Sequence, residues 1–255
     1  MIGYLEHHIV DHCNLNCAGC SHFSSLVKEP WFEDLDKFKE DFFTLAVKTK
    51  SKVDCIRLMG GEPLLHPQYP EFLQFTRITF PNSNIQIVTN GLLLKKEHDR
   101  LVNICNQYDI QVCVSNYNLN LNLDELLKDF KYTRVDPKGS LYNICLNLNK
   151  NIDSQVAFDN CDLHVNKWYY FQYGRFYPCC ISANFHYFDK HFNLDLIDWN
   201  EDDISISIYN HSIQEVKEFL NKPIPLCKYC DTISRPQTYH SFSKTQRRIE
   251  EWICQ

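Results

Sequence analysis

Leu5-Glu6-His7-His8-Ile9-Val10-Asp11-His12-Cys13-Asn14-Leu15-Asn16-Cys17-Ala18-Gly19-Cys20 is a strand-like run, Leu5–Asp11, that delivers a cysteine triplet onto the loop behind it. Three thiolates at C-x-x-x-C-x-x-C spacing on one loop can converge on a single soft metal centre. A structural zinc site takes four protein ligands, so three with no adjacent fourth suit an iron–sulfur cluster with one iron left open. Zinc with a distant fourth ligand is the alternative. Outward from the triplet, strand-like stretches recur at Val53–Met59, Ile85–Thr89, Ile110–Ser115 and Tyr132–Val135. Between them Leu35, Phe38, Phe42 and Leu45 fall at helical spacing, as do His98, Leu101, Val102 and Cys105 and, more briefly, Leu123, Leu126 and Leu127. Such alternation calls for right-handed βαβ units and a parallel sheet, as a full or partial barrel.

Two further strings sit at strand ends. Gly60-Gly61-Glu62-Pro63 follows the second strand, and Val88-Thr89-Asn90-Gly91 closes the third. Barrel active sites are built at the C-terminal ends of the strands. Adjacent glycines let a small ligand approach the backbone, and Glu62 can accept from an ammonium group. Glu6, His7 and His8 lie in the first strand, where inward side chains could meet a substrate, and His12 and His22 flank the triplet.

After about residue 160 the texture changes. Trp168–Phe171, Tyr173-Gly174 and Arg175–Pro178 read as a hairpin with glycine in its turn. Ser212 followed by Glu215 reads as a capping box, opening a short helix with Ile213, Val216, Phe219 and Leu220 inward. Gln155–Phe158 reads as one more strand, and the acidic run Asp195–Asp203 as a solvated loop. The boundary between the two textures falls near 150–160. The second part holds Cys161, Cys179, Cys180 and Cys227-Lys-Tyr-Cys230. A hairpin plus C-x-x-C is also how a zinc ribbon is built, so spacing alone leaves the metal open.

With 255 residues, 44% of them hydrophobic, the chain can bury a sizeable core without disulfide staples. Thirteen cysteines without an export-type start favour metal or catalytic thiols over a disulfide framework. A net charge of −6 with no basic patch disfavours nucleic acid and anionic membranes, and no apolar run reaches bilayer length. A cytoplasmic protein is the expectation. Cys105, on an apolar helix face, reads as core. Cys55 and Cys113 lie within strands and could project into a substrate cavity as hydrogen-atom donors. Cys145 carries the same expectation, Cys254 a weaker one.

The triplet Cys13, Cys17 and Cys20, followed one βα unit later by Gly60-Gly61-Glu62, resembles the radical S-adenosylmethionine (SAM) superfamily over residues 5–135. The resemblance implies an α/β fold, a partial (β/α)6 TIM-like barrel, with a [4Fe-4S] cluster on the three cysteines and SAM on its open iron. Gly60, Gly61 and Glu62 match the motif that holds the methionyl amino group, with Asn90 at the next strand end, and Ser115-Asn116 matches the usual contact to the ribose. Many members carry an aromatic residue before the third cysteine, against the adenine. Here that residue is Gly19, which sends the platform elsewhere, with Phe23 as a candidate.

The second part resembles the shortened SPASM, or twitch, module. Cys161, Cys179, Cys227 and Cys230 would then hold one auxiliary [4Fe-4S] cluster, with Cys180 as an alternative to Cys179. The implied division is a barrel at 1–155 and a small cysteine-rich α+β module, hairpin plus helix, at 156–255. The resemblance implies SAM and two [4Fe-4S] clusters, a flavodoxin- or ferredoxin-type electron donor, and a small-molecule or peptide substrate. The leading expectation is dehydrogenation of an alcohol carbon of a sugar or cyclitol, with the auxiliary cluster accepting the electron. Peptide modification (epimerisation, thioether or crosslink formation) is the enzymatic alternative, against which no extra domain precedes the barrel. A zinc-stapled binding module is the non-enzymatic one, and it leaves Gly60–Glu62 unexplained.

Overall fold

In the computed structural model, which describes residues 2–135, 144–148, 152–234 and 243–254, the strand that opens the chain lies inside the sheet. β1 (Ile2–Val10) pairs in parallel with β2 (Val53–Gly60) on one side and with β6 (Trp168–Gln172) on the other. β3 (Asn84–Thr89), β4 (Gln111–Ser115) and β5 (Tyr132–Val135) continue the parallel sheet beyond β2. β7 (Arg175–Tyr177) and β8 (Ile206–Ser207) extend it antiparallel beyond β6, giving the order β5-β4-β3-β2-β1-β6-β7-β8 in an eight-stranded sheet. The expected partial (β/α)6 barrel is borne out.

The crossovers are α1 (Leu35–Thr49), α2 (Tyr69–Thr79), α3 (Leu94–Gln107) and α4 (Leu123–Leu127). Asp34 caps α1 by accepting from the Lys37 N–H at 2.8 Å. The stripe Phe38, Phe42 and Leu45 is wholly buried against the sheet, as the spacing predicts. Cys105 on α3 is buried in the same core.

One expectation fails. Gln155–Phe158 is not a strand but part of α5 (Ser154–Asp159), because the Asp153 side chain accepts from the N–H groups of Gln155 and Val156 and so starts a helix. α6 (Asp162–Val165) follows. The expected hairpin forms as β6 and β7 around Gly174, whose φ of +66° suits glycine. After it come α7 (Cys180–Phe192), α8 (Glu201–Ile204) and α9 (Ile213–Leu220). Glu201, Asp202 and Asp203 are exposed as expected, though α8 forms inside that run. The Ser212–Glu215 capping box is present and buries Val216 and Leu220.

A second core lies beside the barrel, rich in aromatic residues: Phe23, Tyr170, Phe185, Phe188 and Trp252. The C-terminal segment, residues 243–254, crosses the cysteine loop. The Ala18 N–H donates to Ser243 O at 2.8 Å, the Thr245 N–H to Asn16 O at 3.0 Å, and Trp252 Nε1–H to Cys20 O at 3.0 Å. Cys145 and Cys254 lie side by side where this strap meets residues 144–148. Among the described residues, no helix is long and apolar enough to cross a membrane.

Candidate active site

The site begins where β1 ends. A register shift between His8 and Val10 sets Val10 opposite Gly60. A Cβ on Gly60 would fall 1.9 Å from Val10 O, and one on Gly61 2.1 Å from His12 O, so only glycine allows this approach. The Gly61 N–H donates to Val10 O at 2.8 Å and the Glu62 N–H to His12 O at 3.1 Å. The close approach therefore serves the chain's own backbone, and it sets Gly60 and Gly61 beside the cysteine loop. Glu62 is wholly buried and ties the strand ends together. It accepts from Leu64 N–H at 3.2 Å, Thr89 Oγ1–H at 2.7 Å and Asn90 N–H at 2.9 Å. Burial lifts its carboxyl to about 7, with those three donors pulling it down.

A cavity of about 340 Å³, in the range that holds small ligands, opens at these strand ends. Cys13, Cys17 and Cys20 line it together with Gly60, Gly61 and Asn90. Burial pushes the Cys13 thiol up to about 12, and the neighbouring Cys20 adds to it. Cys17 is driven up by burial and then by Cys20 and Cys13. Burial also raises Cys20, against the N–H groups of Ser24, His22 and Phe23 directed at it. Three buried sulfurs that resist ionising side by side are what a soft cation would neutralise, and the set fits an iron–sulfur cluster. Asn90 Nδ2–H donates to Asn14 Oδ1 at 2.8 Å and reaches Cys13 Sγ at 3.6 Å.

Gly19 has φ +62°, and a Cβ there would lie 2.7 Å from Glu251 O of the strap, so this position is closed to an aromatic side chain. Phe23 does not replace it, because its ring is buried in the second core, 5.5 Å from that of Phe188. Tyr117 does line the cavity, hydrogen-bonded to Ser115. Burial drives its hydroxyl well up, and the sulfurs of Cys17, Cys20 and Cys13 reinforce that. Ser115 also lines the cavity, whereas Asn116 turns its Oδ1 to the Asn118 N–H at 3.1 Å.

The second cysteine set gathers on the flank. Cys161 precedes α6, Cys179 caps α7, and Cys227 and Cys230 sit on the 3-10 turn Pro225–Tyr229 and its end. Burial pushes Cys179 up to about 11, with Cys161 adding, and Cys227 up to about 12, with Cys179 and Cys161 adding. The sulfurs of Cys161, Cys179 and Cys227 thus share one neighbourhood. Cys180 lines the cavity, with Glu6, Cys179, Cys20 and Cys161 as its charged neighbours.

Of the first-strand candidates, Glu6 lines the cavity. His7 instead packs its ring against Phe38 and Phe42 on the helix side. His8 bonds Asp11 at 2.7 Å and His22 at 2.8 Å. Cys113 is buried under Arg57, whose guanidinium donates to its sulfur at 3.1 Å. Neither Cys113 nor Cys55 is among the described lining residues. The sequence reading missed Tyr4, Arg57, Trp168 and Cys180 in the lining. Strand parity was the available signal for two of them, since Tyr4 shares a face with Glu6, and β1–β2 pairing sets Arg57 opposite Glu6.

The chain matches the family model of the radical SAM superfamily over residues 8–136. It is 28% identical over 165 residues to a GTP 3′,8-cyclase of Chlorobaculum tepidum, covering 65% of this chain and 44% of the relative. It is 32% identical over 108 residues to GTP 3′,8-cyclase 1 of Mycobacterium tuberculosis H37Rv, covering 40% and 29%. The chain thus spans less than half the length of these curated relatives. Among solved structures, that of BtrN in complex with AdoMet and 2-DOIA superposes with a TM-score of 0.50 at 18% identity, covering 92% of this chain and 94% of that one, a likeness of fold. A family match over more than half of its length makes this chain a member of the radical SAM superfamily, an enzyme class that works with SAM and a [4Fe-4S] cluster.

Proposed function

We propose that this enzyme dehydrogenates an alcohol carbon of a small polyol, a sugar or a cyclitol. Cys13, Cys17 and Cys20 would hold the SAM-binding cluster, and Cys161, Cys179, Cys227 and Cys230 an auxiliary [4Fe-4S] cluster. The first cluster with SAM supplies a 5′-deoxyadenosyl group able to take a hydrogen atom from an unactivated C–H bond. Gly60, Gly61 and Asn90 position the methionyl end, with Glu62 bracing their turns. Ser115 and Asn116, at the end of β4, serve the ribose. Tyr117 offers the adenine the aromatic face that Gly19 lacks. Residues 1–155 would supply the first five barrel strands, and 156–255 the sixth together with the auxiliary module, in a cytoplasmic enzyme fed by a flavodoxin- or ferredoxin-type donor.

One observation carries the oxidative reading. Cys180 forms part of the cavity wall while the adjacent Cys179 belongs to the second cysteine set. An electron left on a substrate radical would have a short exit at that wall. Tyr4 and Trp168, whose rings stack at 5.4 Å, offer an apolar surface to a sugar-like ring. Arg57 is the one Lys or Arg side chain among the described lining residues. That argues against a triphosphate substrate such as the one in the relatives' name.

The test is anaerobic turnover with SAM and carbon-deuterated polyols. Deuterium in 5′-deoxyadenosine together with a carbonyl product is expected. Deuterium transfer with an epimer and no carbonyl would overturn dehydrogenation.

A further inference from the structure

The proposed reaction leaves one step without a group to perform it. Once a hydrogen atom has left the carbinol carbon, the radical must lose a proton from its hydroxyl and one electron to become a carbonyl. The geometry points to Glu6 as the acceptor of that proton, at the wall where the electron leaves. This inference rests on the dehydrogenation reading.

Glu6 supplies the one carboxylate among the described residues that line the cavity. A carboxylate oxygen of Glu6, a ring nitrogen of His22 and the Cys180 sulfur lie within 4.8 Å of one another. The proton acceptor and the residue adjoining Cys179 are therefore neighbours. Arg57 NH1 stands 3.9 Å from Glu6 Oε1. Arg57 is itself tethered, donating from Nε to Gln86 Oε1 at 2.8 Å and from Nη2 to Cys113 Sγ at 3.1 Å, with the guanidinium 5.0 Å over the Tyr4 ring. The carboxylate thus has a fixed positive neighbour on one side and open cavity on another.

The other ionisable groups of the lining suit the task less well. Arg57 stays protonated, Tyr4, Tyr117 and Cys180 are raised by burial, and burial lowers His22 to about 3, a weaker base than Glu6. The three triplet thiols belong to the cluster. Groups facing Glu6 are Tyr4 and His8 on β1, Arg57 and Cys55 on β2, Cys113 on β4, His22 on the cysteine loop and Cys180 on α7. Burial raises its carboxyl, against Arg57 and His8. The balance closes: one hydrogen atom goes to the 5′-deoxyadenosyl group, one proton to the Glu6 carboxylate, and one electron to the oxidised auxiliary cluster. The C–O single bond becomes the carbonyl.

The experiment compares wild-type, E6Q and E6D holoenzyme, each shown to be folded and to carry both clusters, with carbon-deuterated myo-inositol and glucosamine as probes. E6Q should still move deuterium into 5′-deoxyadenosine yet lose carbonyl product by ~10²-fold or more. E6D should recover part of it. The acid limb of the wild-type pH profile for product should vanish in E6Q. Carbonyl formation by E6Q at the wild-type rate and pH profile would overturn the role of Glu6 and leave dehydrogenation standing. Wild-type hydrogen transfer without any carbonyl would instead overturn the dehydrogenation reading and this role with it. Independently of any probe's reactivity, infrared spectra of the resting holoenzyme should show a carboxylic-acid C=O band titrating above the ordinary glutamate range and missing from E6Q. Its absence would count against Glu6. So would a metal beyond the cluster iron that is lost in E6Q, since that would place a cation on Glu6, His22 and Cys180.

Discussion

Residues 2–135 bury a mainly aliphatic core that recurs with each strand and helix, built from such residues as Leu5, Ile56, Ile87 and Val112. The flank buries a second core, rich in aromatic residues and gathered from distant segments, in which Phe23, Phe185 and Trp252 meet. The first region is held by contacts between neighbouring βα units. The second is joined by the strap, by Cys145 beside Cys254 and by the gathered cysteines. Where binding a metal supplies part of the folding energy, removing its ligands removes stability too. The barrel should therefore keep its fold without a cluster, and the flank should depend on one.

The largest expected effect strikes the barrel side without unfolding it. Replacing Cys13, Cys17 and Cys20 together by alanine should abolish 5′-deoxyadenosine formation from SAM and dithionite while circular dichroism stays close to wild type. Formation at the wild-type rate would remove the triplet from the account. A smaller effect separates SAM binding from turnover. Stacking of a base on an aromatic ring is worth about 1–3 kcal/mol, so Y117A should weaken SAM binding by calorimetry roughly tenfold or more, with Y117F near wild type. Equal affinity in Y117A would send the adenine platform elsewhere.

The effect smallest for turnover, read in stability alone, lies at the seam between the two regions. Glu33 accepts a hydrogen bond from Gln172 of β6, and its Oε2 stands 3.9 Å from His7 Nε2 of β1. Burial, with Asp41, Asp11 and Asp34 adding, raises the Glu33 carboxyl to about 8. Burial lowers His7 to about 3, so the pair is neutral near pH 7. A carboxyl raised in the folded state contributes stability that is complete below its ordinary value of 4.5 and lost as pH rises through about 8. At roughly 1.4 kcal/mol per pH unit, denaturant unfolding of the wild type should lose up to a few kcal/mol between about pH 5 and 8.5. E33Q should flatten that slope, and an unchanged slope would place the titration elsewhere.

Much of the barrel was legible because its signals are local. Alternation gave the strands, the 3.6-residue spacing of Phe38, Phe42 and Leu45 gave α1, and the glycine strings fell at strand ends. The cavity wall was less so. Trp168 meets Tyr4 only because β6 joins β1 in parallel after a crossover of more than a hundred residues. Gly19 looked like a missing aromatic until Glu251 O was found packed on it, a contact between opposite ends of the chain. The short run Gln155–Phe158 carried apolar residues that suit either element, and the Asp153 cap settled it as a helix. Cys179 and Cys180 are adjacent in sequence, yet Cys180 lines the cavity and Cys179 caps α7, a distinction that spacing alone does not carry.

The most direct test of the account is the iron and sulfide content of anaerobically reconstituted protein, wild type beside C227A/C230A. Two clusters on separate cysteine sets require about eight irons per wild-type chain and about four in the variant, which should still cleave SAM but form little oxidised product. About four irons in the wild type, or zinc in place of the second four, would contradict it.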